Sequence, residues 1–305
     1  MTRWLADRTV AHLRALPDDR TADDDRYALG EPIGRGGMGV VNRAFDRELE
    51  REVAVKVLHA HTPGVAERLL REARILARLE HPGILPIHDV GTLPDGRVFY
   101  VMKLVRGQRL DRHVAGEVAL AERLRIFDRL CDAVAFAHAH GVIHRDLKPE
   151  NVMIGAFGEV LVLDWGVAKV RGLTPAEHGA VLGTPGYMAP EQAAGDAQVD
   201  ERADVYALGG ILAFLLSGEP RLSARSGVPR ALAAIAIRAR AAAPGERYTS
   251  VADMAADVSR YAAGLAVDAY RESLVERTRR VLGRYRTPIV LVLAYLIMRM
   301  ILLLV

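Results

Sequence analysis

Apolar positions follow two different rhythms along the chain, and the change of rhythm comes near residue 120. Before it, short β-rich runs dominate: Tyr27 to Ile33, Val40 to Ala44, Glu52 to Leu58 and Arg97 to Leu104. One helical pattern interrupts them, Val65 to Leu79, with Leu69, Leu70, Ala73, Leu76 and Leu79 on a common face. From Ala121 onward the spacing is helical over Ala121 to Gly141, Arg202 to Ser217, Pro229 to Arg240 and Val251 to Tyr261. A β-rich lobe carrying one helix, followed by a helical lobe, predicts an α+β fold with a cleft between two lobes. The ends differ in kind. Residues 1–26 form an N-terminal extension with a weak helical pattern from Arg3 to Leu16, Pro17 and an acidic run from Asp18 to Asp25. At the other end, Ile289 to Val305 is apolar apart from Arg299 and follows Arg277, Arg279, Arg280, Arg284 and Arg286.

Composition narrows the classes. A chain of 305 residues holds one large or two small domains, and a net charge of +3 argues against a dedicated nucleic-acid binder. One cysteine, Cys131, excludes a disulfide framework and a thiolate zinc site and fits a reducing compartment. The N-terminus lacks the apolar core of a secretory signal. The pairs His59 with His61 and His138 with His140 have metal-like spacing but no further ligands beside them, which favours loop and helix residues.

Gly34, Gly36 and Gly39 form a G-x-G-x-x-G. A dinucleotide site has this spacing but needs a helix after it, whereas Val40 to Phe45 reads as a strand, so a glycine-rich hairpin over phosphates fits better. A plain tight hairpin is the alternative, and a P-loop is excluded for want of G-K-[ST]. Lys56 ends the apolar run Val53-Ala54-Val55 and points into a cleft or lies at the surface. Glu72, on the helix downstream, could pair with it or be a solvated charge beside Arg68 and Arg71.

The densest chemistry is His144-Arg145-Asp146-Leu147-Lys148-Pro149-Glu150-Asn151. Asp146 can accept a proton from a hydroxyl and orient its oxygen, Lys148 can neutralise charge on a transferred phosphoryl group, and Asn151 offers a hard oxygen to magnesium. The buried run Val160 to Leu163 then delivers Asp164-Trp165-Gly166, a carboxylate suited to a metal at the end of a strand.

With these motifs in order from Gly34 to Arg247, the chain resembles the protein kinase superfamily, specifically the bacterial eukaryotic-like (Hanks-type) Ser/Thr kinases. A composition heavy in Ala, Arg, Gly and Leu agrees with a bacterial source. The resemblance implies a two-lobed kinase domain over 27–264, divided into 27–105 and 106–264. It also implies a non-specific serine/threonine protein kinase that transfers the γ-phosphoryl group of ATP to protein hydroxyls, autophosphorylation included, with Mg2+ or alternatively Mn2+. It assigns Lys56 and Glu72 as an ion pair, Asp146 as catalytic base assisted by Lys148 and Thr184, and Asn151 and Asp164 as metal ligands. Gly34, Gly36, Gly39, Val41, Ala54, Lys56 and Met153 would line the nucleotide. Met102 would be the gatekeeper, with the Lys103 carbonyl and Val105 amide on the adenine. Gly183-Thr184-Pro185-Gly186-Tyr187-Met188-Ala189-Pro190-Glu191 resembles the end of an activation segment, with Glu191 paired to Arg247 and Asp204 holding the catalytic loop. Thr174 is then the regulatory phosphosite, because Thr184, the other Ser or Thr between Asp164 and Glu191, is structurally committed.

Three departures stand out. Trp165 replaces the commoner Phe, and Lys103 replaces an acidic residue. The stretch Ser217 to Arg230 is short where the family places a substrate-docking helix. A catalytically dead, membrane-bound scaffold is the competing reading. A small-molecule phosphotransferase is disfavoured by Ala189-Pro190-Glu191.

Residues 265–287 read as a basic juxtamembrane segment and 288–305 as a transmembrane helix. As a helix, Ile289 to Val305 would span roughly 26 Å against a ~30 Å hydrocarbon core. Its Ile, Leu and Val residues favour insertion by about 0.3 to 0.6 kcal/mol each, against about 2.5 to 3.5 for Arg299. The expectation is a single-pass protein of the bacterial cytoplasmic membrane with the kinase on the cytoplasmic side. A helix buried in the domain or in a homodimer is the alternative.

Overall fold

The computed structural model describes residues 26–35, 39–58, 70, 73–165, 169–170, 183–196, 198–222, 227–278 and 286–304. Gly36, Glu72 and Thr174 therefore lie outside the described residues, and with them the expected Lys56–Glu72 pair.

The first lobe is a five-stranded sheet of β1 (Tyr27–Arg35), β2 (Gly39–Asp46), β3 (Arg51–Leu58), β4 (Ile87–Thr92) and β5 (Val98–Lys103). Its strand order is β1-β2-β3-β5-β4, and every pairing is antiparallel. The alternation along β3 sorts its side chains onto two faces. Val53, Val55 and Val57 pack with Ala44, Phe99 and Val101 on one face. Ala54 and Leu58 pack with Leu85, Tyr100 and Met102 on the other, which by alternation is also the side of Lys56. Gly39 is required at the start of β2, because a Cβ there would collide with the Val57 carbonyl. In the expected helix, residues 73–76 are helical, and Ala73, Ile75 and Leu76 are buried.

The second lobe begins with β6 (Gly107–Arg109), α1 (Leu110–His113) and α2 (Leu120–Ala139). The short strands β7 (Val142–Ile143), β8 (Val152–Gly155), β9 (Val160–Val162) and β10 (Lys169–Val170) follow, then α3 (Pro190–Ala193), α4 (Arg202–Ser217), α5 (Arg230–Ala239) and α6 (Val251–Ala262). α4 is the spine of this lobe. Ile211, Leu212 and Leu215 are fully buried against residues such as Phe127 and Leu130 of α2, Ile235 of α5 and Met254 of α6. Gly218, with φ +82°, ends α4 in the left-handed conformation. Among the described residues between Ser217 and Arg230 there is no helix, in line with the shortness of that stretch.

The last helix, α7 (Arg286–Leu304), has 19 residues. The transmembrane span expected over 288–305 is not met, since among the described residues no helix is long and apolar enough to cross a membrane. At 1.5 Å per residue α7 is about 28 Å long, and the charge of Arg299 lies within it.

Candidate active site

The peptide from His144 to Asn151 leaves α2 through β7 and enters β8, and buried hydrogen bonds fix its path. Asp204, 1 % exposed on α4, accepts the backbone N–H of His144 at 2.8 Å and of Arg145 at 2.9 Å. His138 Nε2 lies 2.7 Å from the same carboxylate. Burial works to raise the Asp204 pKa, but the His138 hydrogen bond, the nearby imidazoles and the His144 N–H together hold it below the usual value. The reward is a bend: Arg145 sits at φ +66°, a conformation few side chains adopt unaided.

His144 ties this loop to the strand beyond it. Asp146 N–H donates to His144 Nδ1 at 3.3 Å, which leaves the proton on Nε2 to donate to the Leu163 carbonyl at 3.0 Å. Leu163 N–H in turn donates to the Asn151 carbonyl at 2.8 Å. Trp165 is 1 % exposed and packs its indole 4.6 Å, centroid to centroid, from the His144 ring. An aromatic at this position thus anchors the turn after β9, and Asp164 is left outward-facing at φ +59°.

The polar side chains meet around Asp146. Lys148 Nζ donates to Asp146 Oδ2 at 2.9 Å and to Thr184 Oγ1 at 2.7 Å, and Thr184 Oγ1 donates to Asp146 Oδ1 at 2.8 Å. Asn151 Nδ2 donates to the Asp146 carbonyl at 2.9 Å and to Oδ2 at 3.2 Å, so its amide oxygen is turned away from Asp146. From the first lobe, Lys56 Nζ reaches Asp164 Oδ1 at 3.5 Å, with its side chain 13 % exposed. Asp146, Lys148, Asn151 and Thr184 thus form one hydrogen-bonded group and Lys56 with Asp164 a second, and the Leu163–Asn151 backbone bond joins them, although 128 positions separate Lys56 from Thr184.

The donor set suits a hard cation with phosphates. Asn151 and Asp164 offer two oxygen ligands and leave the other positions to phosphate and water, the usual arrangement for magnesium. Lys56, in a partly dry setting and 5.5 Å from the Tyr100 ring centroid, supplies a cation beside them. Above, Val41, Ala54, Met102 and Val105 belong to one apolar cluster, wide enough in composition to face a flat ring. Met153 is half-buried on β8 opposite Leu161, the Lys103 side chain is exposed near Glu159, and Gly34 pairs with Val41 at the end of β1.

The segment after Thr184 is clamped from below. Glu191 and Arg247 form a two-pronged pair at 2.6 and 2.7 Å, with Arg247 3 % exposed. Gln192 Nε2 donates to the Arg145 carbonyl at 2.9 Å, joining this clamp to the His144–Asn151 loop. Two participants were not legible as such in the sequence. His138 read only as a helix residue, yet it lies on the buried stripe of α2 with Leu130 and Val134, which was the available signal. Arg240, which donates to the Gly186 carbonyl at 2.9 Å, had no motif to mark it.

Comparison with known proteins agrees with this geometry. The protein kinase domain family matches residues 27–266. The chain is 39 % identical over 277 residues to serine/threonine-protein kinase PknB of Mycolicibacterium smegmatis, covering 80 % of this chain and 44 % of that protein. It is 37 % identical over 302 residues to PknB of Mycobacterium tuberculosis, covering 86 % and 48 %. Over 229 residues it is 37 % identical to serine/threonine-protein kinase PknD of Protochlamydia amoebophila, covering 63 % and 23 %. The chain spans under half the length of these relatives. With a matching domain over residues 27–266, most of its length, the chain belongs to the protein kinase domain family.

Proposed function

We propose that the chain is a serine/threonine protein kinase that transfers the γ-phosphoryl group of ATP to hydroxyls of protein substrates. What supports this reading is the Asp146–Lys148–Thr184 triangle with Asn151, joined through the Leu163–Asn151 backbone bond to the segment that carries Asp164 and its partner Lys56. Asp146 is the base. It orients a substrate hydroxyl and takes its proton as the oxygen bonds to the γ-phosphorus and the bond to the departing ADP oxygen breaks. Lys148 neutralises charge on the phosphoryl group in flight while holding Thr184 in place. Thr184 keeps the Asp146 carboxylate from rotating away from the acceptor. Lys56 steadies the phosphates, and Glu72 is its expected partner. Magnesium, held by Asn151 and Asp164, would offset the charge of the phosphates. The adenine would lie against Val41, Ala54, Met102, Val105 and Met153, with backbone contacts at Lys103.

Two finer parts complete the reading. Thr174 is proposed as the activating phosphosite, and mass spectrometry of autophosphorylated protein should find phosphate there. The C-terminal helix is proposed as the point of membrane attachment. Val290, Leu291, Val292, Tyr295, Leu296, Ile297 and Met300 are each more than half exposed. At 100° per residue they surround α7 on every side, a pattern suited to lipid more than to water. Arg299, five residues from the end of α7, can direct its charge outward.

The deciding experiment is transfer of labelled phosphate from ATP with magnesium, wild type beside Asp146→Asn. A fall of about 10²- to 10⁴-fold is expected for loss of a general base. Equal incorporation by the two proteins would refute the assignment.

A further inference from the structure

A concavity in the second lobe is lined in part by Arg240, whose guanidinium donates to the Gly186 carbonyl. It is a cavity of about 350 Å³ between α4, α5 and the segment that follows Gly218. Ala213 and Ala236 form a small-residue floor, and Leu222 and the 65 % exposed Ile237 form an apolar lip. It stands open where the described residues between Ser217 and Arg230 hold no helix.

Two arginines line the same cavity, and their surroundings are unusual. Arg240 is half-buried. Its Nη1 donates to the Gly186 carbonyl at 2.9 Å, its Nη2 to the Tyr206 hydroxyl at 3.1 Å, and its guanidinium lies 4.4 Å from the Tyr206 ring centroid. Every one of these partners is neutral. Burial, together with the neighbouring Arg221 charge, pulls the Arg240 pKa below its ordinary value. Arg221 is exposed at the mouth, and among the described residues neither arginine forms an ion pair. Two like charges held beside a partly dry cavity favour an anion brought from outside.

The place of the cavity says whose anion. Arg240 holds Gly186, two residues from Thr184, whose hydroxyl contacts Asp146. A chain crossing from the acceptor position to the cavity therefore has only a few residues to span, at about 3.3–3.6 Å each. Arg240 spends one N–H of Nη1 and one of Nη2 on protein partners, and the N–H groups that remain, with the exposed Arg221 beside them, can receive a carboxylate.

We propose that this cavity is a docking subsite for an acidic segment of the protein substrate, with Asp or Glu side chains on Arg221 and Arg240 and a neighbouring apolar side chain over Ala213, Ala236 and Ile237. It rests on the kinase reading and names the kind of substrate that reading leaves open. In place of a docking helix, this lobe offers a charged notch.

The test is fluorescence anisotropy with the full chain and a labelled peptide bearing Leu-Glu-Glu-Leu beside an alanine in the acceptor position. A matched Leu-Gln-Gln-Leu peptide is the control. The acidic peptide should bind at least about ten-fold more tightly, equivalent to about 1.4 kcal/mol. Arg221→Glu should erase that preference, as should added salt. Ile237→Glu, at a second exposed position, should weaken the acidic peptide without unfolding the lobe. Equal binding of the two peptides, or a preference that survives Arg221→Glu, overturns the proposal. So does much tighter binding of a phosphoserine version, which would make the occupant a phosphate. Self-association of the chain that Arg221→Glu abolishes would make it a second copy and overturn it too. Because binding requires no transfer, a protein that keeps the preference but transfers no label counts against the kinase reading alone. One that transfers label without the preference counts against the docking subsite alone.

Discussion

The pair between Glu191 and Arg247 allows a sharp prediction, because every donor of the arginine is accounted for. Two bonds go to the carboxylate at 2.6 and 2.7 Å, and three go to the carbonyls of Ala241, Arg202 and Ala242 at 2.9, 2.9 and 3.1 Å. The Arg247 side chain is 0 % exposed and that of Glu191 is 13 % exposed. Replacing Arg247 by Met strands a carboxylate and three carbonyls in a nearly dry place, at a cost of about 3–5 kcal/mol. For a domain of this size that corresponds to a fall in Tm of roughly 6–20 °C. Glu191→Gln should cost less, since the amide keeps an acceptor for one prong and the three carbonyls still hold the guanidinium. In the double variant Glu191→Gln with Arg247→Met no buried charge is left without its partner. It should therefore be more stable than the sum of the single losses, by a coupling of about 1–3 kcal/mol. Thermal unfolding followed by the fluorescence of buried Trp165 reads all four proteins. An Arg247→Met loss below about 1 kcal/mol, the range of a surface pair, would refute the argument. Additive single losses would refute it equally.

Three further outcomes follow from the same geometry. Thr184→Ala removes the hydroxyl between Lys148 and Asp146, and loss of a charge-assisted bond of about 1.5–3 kcal/mol predicts a kcat lower by roughly ten- to a hundred-fold. The KM for ATP should stay unchanged and Thr184→Ser should restore the rate, so a shifted ATP KM would place Thr184 elsewhere in the cycle. Asp204 has a folded pKa held below its unfolded value. Its contribution to stability is thus complete above about pH 4 and is lost as pH falls through the folded pKa. Asp204→Asn should flatten the acid limb of an unfolding profile, and an unchanged limb would exclude this carboxylate as its cause. Flotation with anionic vesicles should carry the wild-type chain upward and leave a Leu291→Asp, Leu296→Asp variant below; co-flotation of both would detach α7 from the membrane.

How much of this was legible in the sequence depended on whether the residues are contiguous and regularly spaced. Lys148, Asp146 and Asn151 lie within one short loop, and their meeting is a local event that eight consecutive letters encode. The long helices followed from period alone: α4 runs Arg202–Ser217 as expected, and α2 and α5 differ by a residue or two at their ends. Strand β4 was missed, since Ile-His-Asp-Val-Gly-Thr mixes polar residues into its pattern and its register shifts between Ile87 and Asp89. The strand expected over Val160 to Leu163 is β9, found over Val160–Val162, whereas β6 and β7, of three and two residues, carry too few positions for any period to show.

The cavity beside Gly186 was hidden for a different reason, and its trace in the sequence is a cost. Adjacent glycines in the middle of a helix each sacrifice about 1 kcal/mol relative to alanine, and α4 carries Gly209 and Gly210 at its centre. A Cβ on Gly210 would press on Arg240 Nη1 and Tyr187, and one on Gly209 on Ala239 and Arg240. The helix accepts that loss because two bulky groups, the arginine that caps the end of α5 and a tyrosine from the segment after Thr184, must pass close to its backbone. Periodicity treats glycine as merely weak helix and so reads past it. Asked instead what must approach so closely, the glycine pair points to Arg240, through Arg240 to Gly186, and from there to the Thr184 hydroxyl that donates to Asp146.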